Sequence, residues 1–111
     1  MTERAMQEPT LLVLTALADE PRHGYAIIQE VAKISGGRVA LRTGTLYSAL
    51  ERLVTQGLIE VRAEEVVEGR LRRSYGLSGR GREVLAGEAE RLAATAREAV
   101  RRLGPSAAAG A

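Results

Sequence analysis

The apolar residues change their repeat twice along the chain, and that change limits the fold more than any single motif does. Up to Gln56 they recur every three or four residues, as on one face of a helix. From Leu58 to Leu77 they follow a repeat of two, interrupted at Glu68-Gly69, as in two strands around a turn. From Ser78 onward the helical spacing returns. The expected order is helix, helix, helix, two-stranded hairpin, helix: mostly α with a small β-hairpin.

Local signals place the boundaries. Pro9 suits the first turn of a helix, and Thr10–Ala18 reads as that helix, with Leu11, Leu14, Leu17 and Ala18 at helical spacing. Its neighbours Leu12 and Val13 are apolar too, so it is expected to be buried on more than one side, against the core and against a partner subunit. Asp19-Glu20-Pro21 breaks it. His23–Ile34 forms the second helix, with Ile27, Ile28, Val31 and Ile34 inward and Ser35-Gly36-Gly37 closing it. Val39-Ala40-Leu41 reads as a short extended segment. The third helix runs from Thr43, as N-cap, to Gln56, with an apolar stripe of Leu46, Leu50, Leu53 and Val54. Leu58–Arg62 and Leu71–Leu77 are the strands, with Leu71, Tyr75 and Leu77 on one side.

Ser78 caps a last helix extending to about Leu103. Its Leu85, Ala89, Leu92, Ala96, Ala99 and Leu103 alternate steps of four and three, a heptad seam, with Ala86, Ala93 and Val100 beside it. Such a seam after a finished domain needs a partner to cover it, so Leu11, Leu14, Leu85, Ala89, Leu92, Ala96, Ala99, Val100 and Leu103 are the expected dimerisation residues. Gly104-Pro105 stops the helix. The expected division is 8–77 as a winged helix-turn-helix, 78–104 as a dimerisation helix and 105–111 as a disordered tail.

A length of 111 residues suits one small domain. With no Cys, disulfides, thiolate metal sites and thiol catalysis are excluded. One His and no phosphate loop after a strand leave no catalytic constellation to assemble, and Glu64-Glu65 falls near a solvated hairpin tip. Neither an enzyme nor a cofactor or metal site is expected. The longest apolar run is Leu11–Leu14, far short of a membrane span, and the start lacks a signal-peptide layout; a cytoplasmic protein without membrane contact is expected. Charge placement points to a polyanion: from Arg38 to Arg82 there are nine arginines against five acids, whereas the first 37 residues hold three basic residues against five acidic ones. Fifteen of the sixteen basic residues are Arg, suited to phosphate and guanine, although a GC-rich genome would also favour Arg.

Helices two and three form a helix-turn-helix, whose second helix would enter a major groove by its N-terminal end. Arg42, Thr43, Gly44 and Thr45 open that helix, and Ser48 and Arg52 are its outward side chains. The hairpin would be a wing that lays Arg70, Arg72 and Arg73 on phosphates. A solvated edge strand is the plain alternative for these arginines.

Three runs carry a specific likeness. His23-Gly24-Tyr25-Ala26-Ile27, then Gly44-Thr45-Leu46-Tyr47 with Leu50, Arg52-Leu53 and Gly57-Leu58-Ile59, then Gly69-Arg70 with Arg72-Arg73, Tyr75, Leu77 and Gly81 together resemble the PadR family of bacterial transcriptional regulators. The likeness spans roughly residues 8–85, and the single terminal helix resembles the smaller PadR subgroup. It implies a homodimeric repressor that binds an inverted-repeat operator in double-stranded DNA and is released by a small-molecule effector. Ser48 and Leu71 stand where the family often has Pro, and Ser78 where it often has Thr. The chain has no Trp, the residue with which some members stack on flat aromatic drugs.

Several residues stay open between roles. His23 is a phosphate contact or pH switch on one reading, and a helix-start residue bonding locally on the other, which is favoured. Tyr25 touches the DNA backbone or packs between helices. Tyr47 is expected to present its hydroxyl to phosphate over a packed ring. Glu51 accepts from cytosine or orients Arg42 or Arg52, the second being favoured. The competing function is a winged-helix module that binds another protein and not DNA.

Overall fold

A computed structural model describes residues 6–105. Helix α1 (Glu8–Ala16) takes Pro9 into its first turn, where a missing N–H breaks no bond. It starts and ends two residues earlier than Thr10–Ala18, because Leu17 and Ala18 already bond back three residues in a tight turn. Leu12, Val13, Leu14, Ala16 and Leu17 are all buried. Burial on several sides is as expected, but Leu14 has no exposed surface at all. Its side chain is enclosed within this chain, which corrects its assignment to a partner contact; Leu11 stays half-buried.

Next come β1 (Arg22–His23), α2 (Gly24–Ile34), α3 (Thr43–Thr55), β2 (Ile59–Val67), β3 (Arg70–Leu77) and α4 (Gly79–Leu103). The sheet is antiparallel in the order β1-β3-β2. Four helices and this small sheet make a winged helix, with one strand more than the hairpin foreseen. The two-residue β1 has no periodicity to read; it exists because Arg22 and His23 find Tyr75 and Ser74 across from them.

The core lies where α1, α2 and α3 meet the base of the sheet, around Leu14, Leu17, Ile27, Val31, Leu46, Leu50, Leu53, Ile59 and Leu77. Each such Leu or Ile contributes on the order of 1.5–3 kcal/mol by leaving water. Three expected core residues lie outside it. Ile34 and Val54 sit at the ends of their helices and stay partly exposed, and Leu71 lies on the part of β3 that has run past the core. Val39 and Leu41, between α2 and α3, belong to neither helix nor strand and pack on the core. Arg38 in the same segment ties it to α1 through a two-bonded pair with Glu8, 2.7 Å at the closer contact.

Glu68 (φ 52°) and Gly69 (φ 76°) form the hairpin turn. Two consecutive left-handed residues match the twist of the strands, which is why a Gly stands there. A bulge at Arg62 shifts the register between Val61 and Ala63. It frees the Arg62 side chain to lie over Gly76 and to donate to the Leu77 carbonyl at 2.5 Å.

Ser78 caps α4 as expected, its hydroxyl accepting from the Gly81 N–H at 2.9 Å. The first turns pack: Gly81 is buried, and Val84 and Leu85 lie against the core. Glu88 is buried, accepts from the Met6 N–H at 3.2 Å and pairs with Arg91. Beyond it the seam packs against none of the other described residues: Ala89, Leu92, Ala96, Ala99, Val100 and Leu103 are all exposed. Among the described residues no helix is long and apolar enough to cross a membrane. The expected tail lies, but for Pro105, outside the described residues.

Candidate nucleic-acid interface

The N-terminal ends of α2 and α3 meet, and one pair of residues makes them meet closely. A Cβ added at Gly24, the first residue of α2, would lie 2.5 Å from the Tyr47 hydroxyl oxygen and 2.8 Å from its ring carbon. The absence of a side chain at residue 24 is what seats the Tyr47 ring. The sequence showed Gly24 and Tyr47 as members of two separate motifs; the structure makes them one contact.

His23 sits immediately before this seat and does two local jobs. Its Nδ1 accepts from the Ala26 N–H at 3.3 Å and so caps α2. Its backbone pairs with Ser74 in β3. The favoured reading of His23, a helix-start residue bonded locally, describes this geometry. Through it the hairpin is fixed to the helix-turn-helix: Tyr47 rests on Gly24, Gly24 follows His23, and His23 is paired with Ser74, next to Arg73.

Tyr25 projects from this joint and is 66 % exposed; Tyr47 is 46 % exposed. Arg42 is the N-cap of α3 in place of Thr43, since its backbone is extended (φ −82°, ψ 151°) while Thr43 is already helical. Among the described residues no side chain caps this helix. Its first N–H groups thus point outward without an intrahelical partner, at the positive end of a 13-residue helix. Thr43, Gly44, Thr45 and Ser48 are all exposed around that end. Arg42 makes no ion pair among the described residues.

Arg52 departs from expectation. It lies about 13 Å along the helix axis from Thr43, and its guanidinium donates to the Thr10 hydroxyl at 3.2 Å. In the free chain it is turned toward α1 and away from the helix tip.

The outer hairpin departs further. Two strands joined by a two-residue turn at 68–69 place residues opposite each other when their numbers sum to 137, and this puts Glu65 across from Arg72 and Glu64 across from Arg73. Both pairs are formed, at 3.0 and 3.4 Å. Between Ile59 and Leu77 four arginines (62, 70, 72, 73) face four glutamates (60, 64, 65, 68), so the hairpin is neutral. Three arginines in four residues looked like a basic wing; the turn position could have revealed the matching acids. Arg70, across from Val67, has no ion-pair partner among the described residues.

Comparison with known proteins now places this arrangement. The profile described as "Transcriptional regulator PadR-like family" matches residues 13–87. Transcriptional regulator Rv3488 of Mycobacterium tuberculosis is 40 % identical over 88 residues, covering 79 % of this chain and 78 % of that protein. An uncharacterised 37.1 kDa protein in transposon TN4556 of Streptomyces fradiae is 45 % identical over 83 residues, covering 75 % of this chain, which spans only 22 % of that protein's length. The crystal structure of Bacillus subtilis PadR in complex with operator DNA superposes with a TM-score of 0.65 at 20 % identity, covering 73 % of this chain and 47 % of that one. At that identity the likeness is one of fold.

Proposed function

The chain belongs to the PadR-like family of transcriptional regulators, and from that premise we propose that it binds double-stranded DNA as a homodimer, represses transcription in the cytoplasm and is released by a small-molecule effector. Residues 8–77 are the DNA-binding unit on this reading, and 78–104 the pairing helix. The observation that carries it is the joint at His23-Gly24, which holds the uncapped tip of α3, the two exposed tyrosines and the hairpin as one unit.

The tip of α3 enters the major groove. Its free N–H groups take a phosphate or approach base edges at Thr43, Gly44 and Thr45, with Ser48 reading bases. Tyr25 and Tyr47 offer hydroxyls to the backbone, and Arg42 and Arg70 offer guanidiniums that no carboxylate among the described residues occupies. Arg72 and Arg73 reach phosphates after leaving their glutamates, and Arg52 does so after leaving Thr10. The exposed seam from Ala89 to Leu103, with Leu11 and Leu85 at its margin, pairs with a second copy; two reading heads then match an inverted repeat. That Bacillus subtilis PadR was crystallised with operator DNA supports the first half of this reading.

A duplex-binding titration against salt tests it. Each phosphate contact adds roughly −0.9 to the log–log slope, so Arg42→Ala flattens the slope by up to about that amount and weakens binding to every duplex, whereas Ser48→Ala shifts sequence preference. Absence of binding to the protein's own promoter at low salt overturns the reading. A protein-interaction module is the second reading, favoured by the neutral hairpin, and that negative result would favour it.

A further inference from the structure

Arg72 and Arg73 are neighbours on β3 and therefore point to opposite faces of the hairpin. Each is met by a glutamate of β2 directly across the ladder, Glu65 on one face and Glu64 on the other. The matching is one to one, and it occurs where the hairpin has left the core: Val66 and Leu71, paired between these residues and the turn, are 72 % and 57 % exposed.

Resting on the DNA-binding reading above, we propose that Glu64 and Glu65 are built-in phosphate surrogates, which hold Arg72 and Arg73 in the free protein and set the affinity of the hairpin for a nucleic-acid backbone. Stability alone does not account for them. Exposed pairs of this kind add little to folding stability, and all four side chains are about half exposed. Protection of an edge strand needs charge of either sign, not a matched pair on each face.

A half-exposed pair opens at small cost, and a phosphate oxygen then takes the place of a carboxylate oxygen on the same guanidinium. The vacated glutamate stays close and repels the phosphate, so this exchange gains less than contact with a free arginine would. Non-specific binding to a duplex rests on such phosphate contacts. A neutral hairpin therefore adds little until the tip of α3 has already brought the backbone to it, which raises the local phosphate concentration. The glutamates act as a brake on indiscriminate binding while keeping the arginines in place for exchange.

The test compares the wild type with the isosteric double variant E64Q/E65Q on two duplexes, promoter-derived and unrelated, and on heparin as a polyanion that requires no duplex reading. With each freed contact scaling as salt to the power of about −0.9, or roughly eightfold at 0.1 M, the variant is expected to bind either duplex at least about fivefold more tightly. Its salt slope steepens by about one to two, and it leaves heparin at higher salt. The quadruple variant E64Q/E65Q/R72A/R73A returns to wild-type retention or below. The double variant E83Q/E90Q makes the same change in net charge on exposed positions of α4 and shifts retention much less.

Unchanged affinity and slope overturn the proposal, as does weaker binding by E64Q/E65Q, which would make the glutamates aids to phosphate contact. An equal gain from E83Q/E90Q overturns it too, since net charge would then suffice. If no variant binds a duplex yet heparin retention follows the expected order, the DNA-binding reading fails and the carboxylate brake stands.

Discussion

At Gly81 the last helix runs hard against the backbone of Leu58, and replacing this glycine by Ala has a calculable effect. A methyl group there would lie 2.8 Å from the carbonyl carbon of Leu58, and closer still to its oxygen. Carbon atoms pack at about 3.5 Å or more, so α4 or the backbone at Leu58 must retreat by at least about 0.7 Å. A backbone carbonyl cannot swing aside as a side-chain end can. The retreat strains the two bonds that lash this corner, Ser78 N–H to Leu58 O at 3.1 Å and Ser78 hydroxyl to Gly57 O at 2.6 Å. Weakening both costs up to about 1 kcal/mol each, and overpacking adds about 1–3 kcal/mol. The better helix propensity of Ala returns at most about 1 kcal/mol. The net expectation is a loss of about 3 kcal/mol, or a fall in Tm on the order of 10–20 °C. Urea unfolding followed by circular dichroism measures it, at one fixed protein concentration because association raises apparent stability. The control is Gly87→Ala in the same helix: a Cβ there meets no described residue within 4 Å, and the propensity gain should stabilise by up to about 1 kcal/mol. Should Gly81→Ala unfold within about 0.5 kcal/mol of the wild type, the range of ordinary surface changes, close approach would not be why this position is a glycine.

The other expectations follow from the same geometry. Gly24→Ala meets only the far end of a half-exposed Tyr47, so the ring swings away and stability changes by less than about 1 kcal/mol, while duplex affinity falls; in a double-mutant cycle with Tyr47→Ala the second change adds nothing, and full additivity would refute the seat. Leu92→Lys places a charge in the exposed seam, and sedimentation should show a loss of self-association with circular dichroism unchanged; a dimer of wild-type affinity would remove α4 as the pairing element. The hydrogen bonds from Arg38 hold the Glu8 carboxyl below its ordinary pKa, so the pair's contribution is present above the unfolded carboxylate range and lost as pH falls through the lower folded value. Glu8→Gln should therefore flatten the acid limb of a stability–pH curve, and an unchanged limb would show that the pair contributes nothing to folding.

What the sequence determined by itself is whatever depends on neighbours along the chain. Hydrophobic period marked the long elements because it reports one face of one element, and Ser78 and Glu68-Gly69 punctuated them because caps and turns are closed by residues within a few positions. Only the tertiary structure decided matters that join distant positions. Whether Leu14 faces a partner or the core, whether Leu71 is covered, and where the Arg52 guanidinium turns depend on how far each element extends past its neighbours. The strand at Arg22–His23 has no pattern of its own and is made by β3. The reach of Tyr47 to Gly24 is likewise invisible until two helices are set side by side. The hairpin charges fall between these cases: their sum was legible along the chain, but neutralisation needs the arginines and glutamates within a few ångströms of each other, and the fold brings them there.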